Sequence, residues 1–233
     1  MAKTESITII IIGLLFFAFK LKAQNGDDKR RDLSNDNSKL SGKEIVEELS
    51  KLDFFNLTNK SDLKITKAEF EKSYNELNFF EGIMKEDLLF TDNRFYFIDS
   101  ETLFEAEGLI GYLETIKTLF DKLNLKLVFS EEYNSLTEKH WKHTIKLNGK
   151  EYVAFDNDFG MNDWGISYAN FIEMLNNELK LQGSKEQFYA ISSGNDGKIV
   201  LMTEKQFDFV QANYSNNNAL PKKISDWKKD YGL

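Results

Sequence analysis

The chain has 233 residues, with 30 basic and 38 acidic side chains, a formal net charge of −8 and no cysteine. The acidic balance argues against nucleic acid and anionic membranes as partners, because no basic stripe is present to displace counterions from phosphate. The lack of cysteine excludes disulfides, thiolate metal sites, a cysteine nucleophile and a lipid-bearing cysteine. Twenty Phe and nine Tyr are enough to build a hydrophobic core.

The chain opens with an apolar run at 7–19, which would span roughly 20 Å as a helix. A bilayer core needs about 20 residues. The run therefore predicts a cleavable signal peptide over 1–23, with cleavage after Ala23, and a periplasmic or secreted bacterial protein without stable membrane insertion after cleavage. Lys20 and Lys22 fit poorly beside a cleavage point. An uncleaved anchor and a buried core helix stay open as alternatives.

A tether and a small helical part follow. Residues 24–40 contain two leucines and no aromatic residue, which predicts a disordered tether. The segment 41–80 predicts a helical subdomain. Residues 41–44 have the pattern of a capping box, in which a serine hydroxyl and a glutamate side chain satisfy free N–H groups at a helix start. Residues 66–69 repeat that pattern and predict the start of a second helix.

Strand and helix patterns alternate over 90–215. In chain order they predict a strand at 94–99, a helix at 108–124, a strand at 125–130, a hairpin at 144–155, a helix at 166–182, a hairpin at 188–202 and a helix from 203. Asn148-Gly149 is the strongest turn signal, because both residues tolerate positive φ. The buried faces of the two long helices include Leu113, Phe120, Phe171 and Leu175.

This order predicts an α+β fold. We expect a mostly antiparallel sheet built from hairpins, with helices packed on one face, preceded by the small helical hairpin. Residues 216–233 are expected to form a C-terminal tail.

The two histidines are candidates for a metal site. On a helix, His140 and His143 would share a face, with Glu131, Glu132 or Glu138 as a third ligand. The stretch leads into a hairpin strand, however, where residues three apart point to opposite faces. No metal and no other cofactor is therefore expected.

The loop 156–164 is the most chemically suggestive segment. Asp156, Asp158, Asp163 and Trp164 are its predicted binding residues, because carboxylates and an exposed aromatic side chain often carry recognition. The glycine and glutamate of an EF-hand loop are missing from their places. The competing interpretation is structural: Trp164 covers the core, and the acidic residues cap the next helix.

The chain has no Gly-x-Ser-x-Gly, phosphate loop or dinucleotide fingerprint. It therefore predicts an exported, non-enzymatic binding protein that takes a protein partner or a small ligand. Immunity-type antagonists of toxins are similarly small, acidic and poor in motifs, which is an analogy of composition. The alternative is a hydrolase acting on a glycan or another extracytoplasmic substrate, with its acid and base among the carboxylates Asp99, Glu101, Glu105 and Glu107.

Overall fold

The computed structural model describes residues 39–75, 84–85, 89–90, 92–104, 108–214 and 220–233. The predicted signal peptide 1–23 lies outside these residues, and so does the predicted tether 24–40 apart from Lys39 and Leu40. Cleavage after Ala23 and disorder of the tether stay predictions.

The described residues contain seven helices and eight strands. The helices are α1 (Gly42–Lys51), α2 (Leu63–Asn75), α3 (Ser100–Phe104), α4 (Gly108–Lys122), α5 (Asp163–Leu181), α6 (Glu204–Asn213) and α7 (Ile224–Tyr231). The strands are β1 (Met84–Lys85), β2 (Leu89–Phe90), β3 (Phe95–Phe97), β4 (Phe129–Leu136), β5 (His140–Leu147), β6 (Lys150–Asp158), β7 (Glu186–Ser192) and β8 (Lys198–Thr203).

The strands form two antiparallel sheets. The larger sheet has the order β1-β2-β3-β8-β7, and the smaller has the order β4-β5-β6. The predicted α+β class, the antiparallel hairpins and the N-terminal helical pair are confirmed. The hairpin turn at Asn148-Gly149 is also confirmed, with φ of 49° and 84°.

Helices cover both faces of the larger sheet, whereas the sequence predicted helices on one face. In β8, Ile199 and Leu201 belong to the core cluster that contains the buried residues of α4 and α5. Val200 and Met202 belong to the cluster that contains the buried residues of α1 and α2. Because successive strand residues point to opposite faces, this unbroken apolar run is buried on both sides.

Helix α5 lies between the two sheets and contacts both β6 and β7. Its buried side chains point in several directions, so it is a central helix of the core. All four residues predicted to face the core are fully buried: Leu113, Phe120, Phe171 and Leu175. Helix α7 packs on α5 through Trp227, whose ring centroid lies 4.9 Å from that of Tyr168.

The first predicted helix start is confirmed and the second is wrong. The Glu44 N–H donates to the Ser41 hydroxyl at 3.3 Å, and the Ser41 N–H donates to the Glu44 carboxylate at 2.7 Å. Helix α2 begins at Leu63, so Thr66 lies inside it, and its N–H donates to the Asp62 carbonyl at 2.9 Å. The hydrogen-bonded turns that precede α2 start the helix about one turn before the pattern at 66–69.

The predicted strand at 125–130 lies further along the chain, as β4. Leu127 is buried, but it precedes the strand. Strand β4 is an edge strand, and almost all of its described side chains are exposed. An exposed edge strand has no alternation of apolar and polar residues. The sequence pattern therefore did not predict the part of β4 after residue 130.

Arg94 connects the segment after α1 to the larger sheet. Its side chain is fully buried. The guanidinium donates to the Leu201 carbonyl at 3.0 Å and to the Asn56 side-chain oxygen at 2.6 Å, and it also donates to the Phe54 carbonyl. A carboxylate oxygen of Glu186 lies 2.9 Å from Nη1. This one side chain therefore satisfies acceptors from three parts of the fold.

A second buried ionisable side chain, Asp92, lies beside it. Asp92 Oδ1 accepts the N–H groups of Arg94 at 2.8 Å and Phe95 at 3.2 Å. Asp92 Oδ2 has no hydrogen-bond partner within the described ranges. Burial raises the pKa of Asp92 to about 7, although both N–H groups and the Arg94 charge act in the opposite direction.

Asp92 should make the stability of the protein depend on pH. Between its ordinary pKa of 3.8 and about 7, the folded chain keeps a proton that the unfolded chain releases. The free energy of unfolding therefore falls as the pH rises through this range. In Asp92→Asn we expect most of this fall to disappear, a difference of about 4 kcal/mol at about 1.4 kcal/mol for each unit of pKa. Urea denaturation across this pH range measures it, and parallel profiles for the two proteins would contradict it.

Candidate functional site

The predicted binding residues lie on either side of one short connection. Asp156 and Asp158 belong to the end of β6, and Asp163 and Trp164 form the first turn of α5. The loop 159–162 joins them. The structure therefore brings all four residues to one end of the smaller sheet, but it gives them different environments.

Asp163 closes the loop and has little exposed surface. Both of its carboxylate oxygens lie 3.0 Å from the Gly160 nitrogen, whose N–H they accept. The side chain of Asn162, at the cap position of α5, makes no capping hydrogen bond. Asp163 thus fixes the entry of the chain into α5, as the structural interpretation of the acidic residues expects.

Three apolar side chains of this connection are exposed, and we call them the apolar loop surface: Phe159, Met161 and Trp164. Their exposed fractions are 44%, 101% and 39%. Exposed apolar side chains grouped on one loop are typical of an interaction site. Trp164 thus lies between the largely exposed position expected of a recognition residue and the buried position expected of a residue that covers the core, so its role in binding stays a prediction.

A cavity of about 330 Å³ opens beside the apolar loop surface. Its walls are formed by Phe104, Gly160, Met161, Asp163 and Trp164. Phe104 is the last residue of α3, so an element that the sequence did not predict contributes one wall of the cavity.

Buried aromatic rings support Phe104. Its ring lies edge-to-face against Trp141 at 4.9 Å and against Phe155 at 5.0 Å between centroids. The Trp141 ring stacks on His143 at 5.0 Å, and its indole N–H donates to the Asn134 side-chain oxygen at 3.0 Å. The wall of the cavity that Phe104 forms is therefore fixed by close packing.

On the solvent side of the same sheet, His140 bridges two carboxylates. His140 Nδ1 lies 2.9 Å from Asp158 Oδ1, and Nε2 lies 2.9 Å from Asp156 Oδ1. Lys142 Nζ lies 3.3 Å from the other oxygen of Asp156. The register places His140 opposite Asp158 and Lys142 opposite Asp156. Two predicted binding residues thus have a partner that the sequence had not assigned to them.

These contacts favour the charged form of the imidazole. Hydrogen bonds to Asp158 and Asp156 raise the pKa of His140. The hydrogen bond from His140 lowers the pKa of Asp156, and Lys142 adds to that effect. A neutral imidazole has one N–H group, whereas the imidazolium has two. Only the imidazolium can donate to both carboxylates at these distances.

His143 lies on the opposite face, as predicted for residues three apart on a strand. It is buried, and its Nε2 lies 2.5 Å from a carboxylate oxygen of Glu132. The structure does not bring His140 and His143 together. Within the part of the chain that the structure describes, no group of three metal-ligating side chains is placed to hold an ion.

Two of the four carboxylates predicted for a hydrolase, Asp99 and Glu101, lie at the start of α3. Asp99 caps α3, because its Oδ1 accepts the N–H groups of Glu101 at 2.9 Å and Thr102 at 3.1 Å. Glu101 lies within α3 and faces Asn195 across 3.4 Å. Glu105 and Glu107 lie outside the described residues, so the predicted acid–base pair is not tested.

None of the described helices combines the length and the apolar character needed to cross a membrane. Comparisons with protein families, curated proteins and solved structures found no match for this chain.

Proposed function

We propose that this protein is a non-enzymatic binding protein that recognises a protein partner through the apolar loop surface. The observation that supports it most is the full exposure of Met161 and the partial exposure of Trp164 beside a cavity with a rigid aromatic wall. Export through the predicted signal peptide 1–23 is part of the proposal, and it makes the partner a periplasmic or secreted protein.

The shape of the site favours a protein over a small ligand. Pockets for small ligands have about 300–1,000 Å³ and enclose most of the ligand. This cavity, at about 330 Å³, is at the small end, and Met161 protrudes fully beside it. A protruding apolar side chain next to a small cavity suits a partner that inserts one apolar side chain and covers its surroundings.

The surroundings of the site add a polar rim. Asp158 is the last residue of β6, directly before the loop, and its side chain is 82% exposed. A partner that surrounds its apolar anchor with polar side chains would be complementary to this rim.

A display library of random peptides, selected on the protein, tests the proposal. We expect the enriched peptides to contain a large apolar residue and to bind Trp164→Ala and Met161→Glu at least about tenfold more weakly, as expected when a central contact of an interface is removed. Leu181→Ala is the matched control, because Leu181 is an exposed apolar residue at the other end of α5. Binding to this control should not change.

Denaturation with urea checks that the variants fold. Because Trp164 is partly exposed, Trp164→Ala should lower the free energy of unfolding by less than about 1 kcal/mol. Failure to enrich any peptide, or equal binding of the enriched peptides to the protein and to Trp164→Ala, would refute recognition at this surface.

A further inference from the structure

His140, Asp156, Asp158 and Lys142 form a charged cluster that is connected directly to the apolar loop surface. Asp158 is the last residue of β6, and Phe159 follows it. The Phe159 N–H donates to the Lys139 carbonyl at 2.8 Å. The same turn positions His140, whose N–H donates to the Thr137 hydroxyl at 2.9 Å. The start of the loop is therefore held through its backbone at Phe159 and through the Asp158 side chain.

The two carboxylates are not held equally well. Asp156 bonds Lys142 as well as His140, and its side chain is one-third exposed. The much more exposed side chain of Asp158 has His140 as its only hydrogen-bond partner in the described parts of the chain. When the imidazole is neutral, one ring nitrogen presents a lone pair to a carboxylate oxygen and repels it. Asp158 is the carboxylate that can move away.

Few other charged groups face the ring. Strand β6 contributes Asp156 and Asp158, which both bond the ring. Strand β5 contributes Lys142, which pairs with Asp156 and not with the ring. Glu132 of β4 bonds His143 on the opposite face. Among the described residues no other charged side chain hydrogen-bonds the ring, including Glu138 and Lys139 of the preceding turn.

From this geometry we infer that His140 couples pH to the apolar loop surface, on the basis of the function proposed above. The charged imidazole holds both aspartates and fixes Phe159 beside the cavity. Loss of its proton releases Asp158 and loosens the start of loop 159–162, so the affinity for the partner falls as the pH rises. The raised pKa of His140 places this change above the ordinary pKa of a histidine.

Nuclear magnetic resonance tests the coupling without a partner. The ring signals of His140 and the amide signals of Phe159 and Gly160 are followed from about pH 5 to about pH 9, on either side of the ordinary histidine pKa of about 6.5. We expect the amide signals to shift with the midpoint of His140, and that midpoint to lie above the ordinary value. In His140→Gln the shift of the Phe159 and Gly160 amide signals should be absent. In the unmutated protein the amide signal of Leu181 should not follow the His140 midpoint.

The peptides enriched above supply the second readout. Their dissociation constant should rise several-fold across the His140 midpoint, and in His140→Gln it should not depend on pH over that range. Amide signals that ignore the titration of His140 would overturn the coupling, and so would an unchanged pH dependence of binding in His140→Gln. If no peptide binds at all, the proposed function fails, and the amide signals alone decide whether His140 controls the loop.

Discussion

Replacement of Arg94 by Met should lower the free energy of unfolding by about 3–5 kcal/mol, the range for removing one partner of a buried ion pair. The variant keeps most of the side-chain volume but leaves the carboxylate of Glu186 without its guanidinium. The carbonyls of Phe54 and Leu201 and the side chain of Asn56 lose their donors at the same time. Urea denaturation at constant pH measures the loss.

A double variant separates the charge from the packing. Arg94→Met combined with Glu186→Gln should be less destabilised than Arg94→Met alone, because the unpaired carboxylate has been removed. Arg94→Lys should also be unstable, since an ammonium cannot reproduce the planar set of donors. A loss below about 1 kcal/mol for Arg94→Met would show that the network contributes little, as exposed ion pairs do.

In the core, Phe171→Ala should cost about 3–5 kcal/mol, through lost burial and the cavity that remains. Phe171 lies on the central helix α5, is fully buried and belongs to the larger of the two core clusters. Phe171→Leu keeps most of the volume and should cost less than about 1.5 kcal/mol. Equilibrium denaturation compares the two variants.

Leu181→Ala is the control on the same helix. Leu181 is exposed, so its truncation should change the free energy of unfolding by at most about 0.5 kcal/mol. Similar losses for Phe171→Ala and Leu181→Ala would mean that the buried face of α5 has been assigned incorrectly.

Features set by neighbouring residues were predictable from the sequence. The turn at Asn148-Gly149 needs positive φ at both residues, and the cap at Ser41 needs only the glutamate three residues later. The α+β class follows from the order of such local signals. The covering of both faces of the larger sheet depends on how distant helices pack, although the unbroken apolar run in β8 is a signal for it.

The partner of Asp158 could not be derived by counting from the turn. The register begins with Leu147 opposite Lys150, and an unbroken ladder would place His140 opposite Asn157. An irregularity between His143 and Thr144 shifts the pairing by one residue and places His140 opposite Asp158. Such a bulge reverses which side chains share a face, and no residue pattern in the strand announces it.

The exposure of Trp164 was also beyond the sequence. A tryptophan in the first turn of an amphipathic helix fits a buried position and a binding position equally well. In the structure the two residues that flank Trp164 are both buried, Asp163 against Gly160 and Gly165 against Tyr231 of α7, where a Cβ atom on Gly165 would lie 2.2 Å from the ring. Trp164 itself is 39% exposed.

The position of α5 between the two sheets has a consequence for how the molecule opens. Neither sheet can separate from α5 without exposing apolar surface of that helix. Unfolding of one sheet alone should therefore cost nearly as much free energy as unfolding of the whole fold. Amide protons in the middle of α5 should therefore exchange with solvent only through near-global opening. The apolar loop surface is therefore attached to a helix that opens only when most of the fold opens, because Trp164 belongs to its first turn and Asp163 ties Gly160 to it.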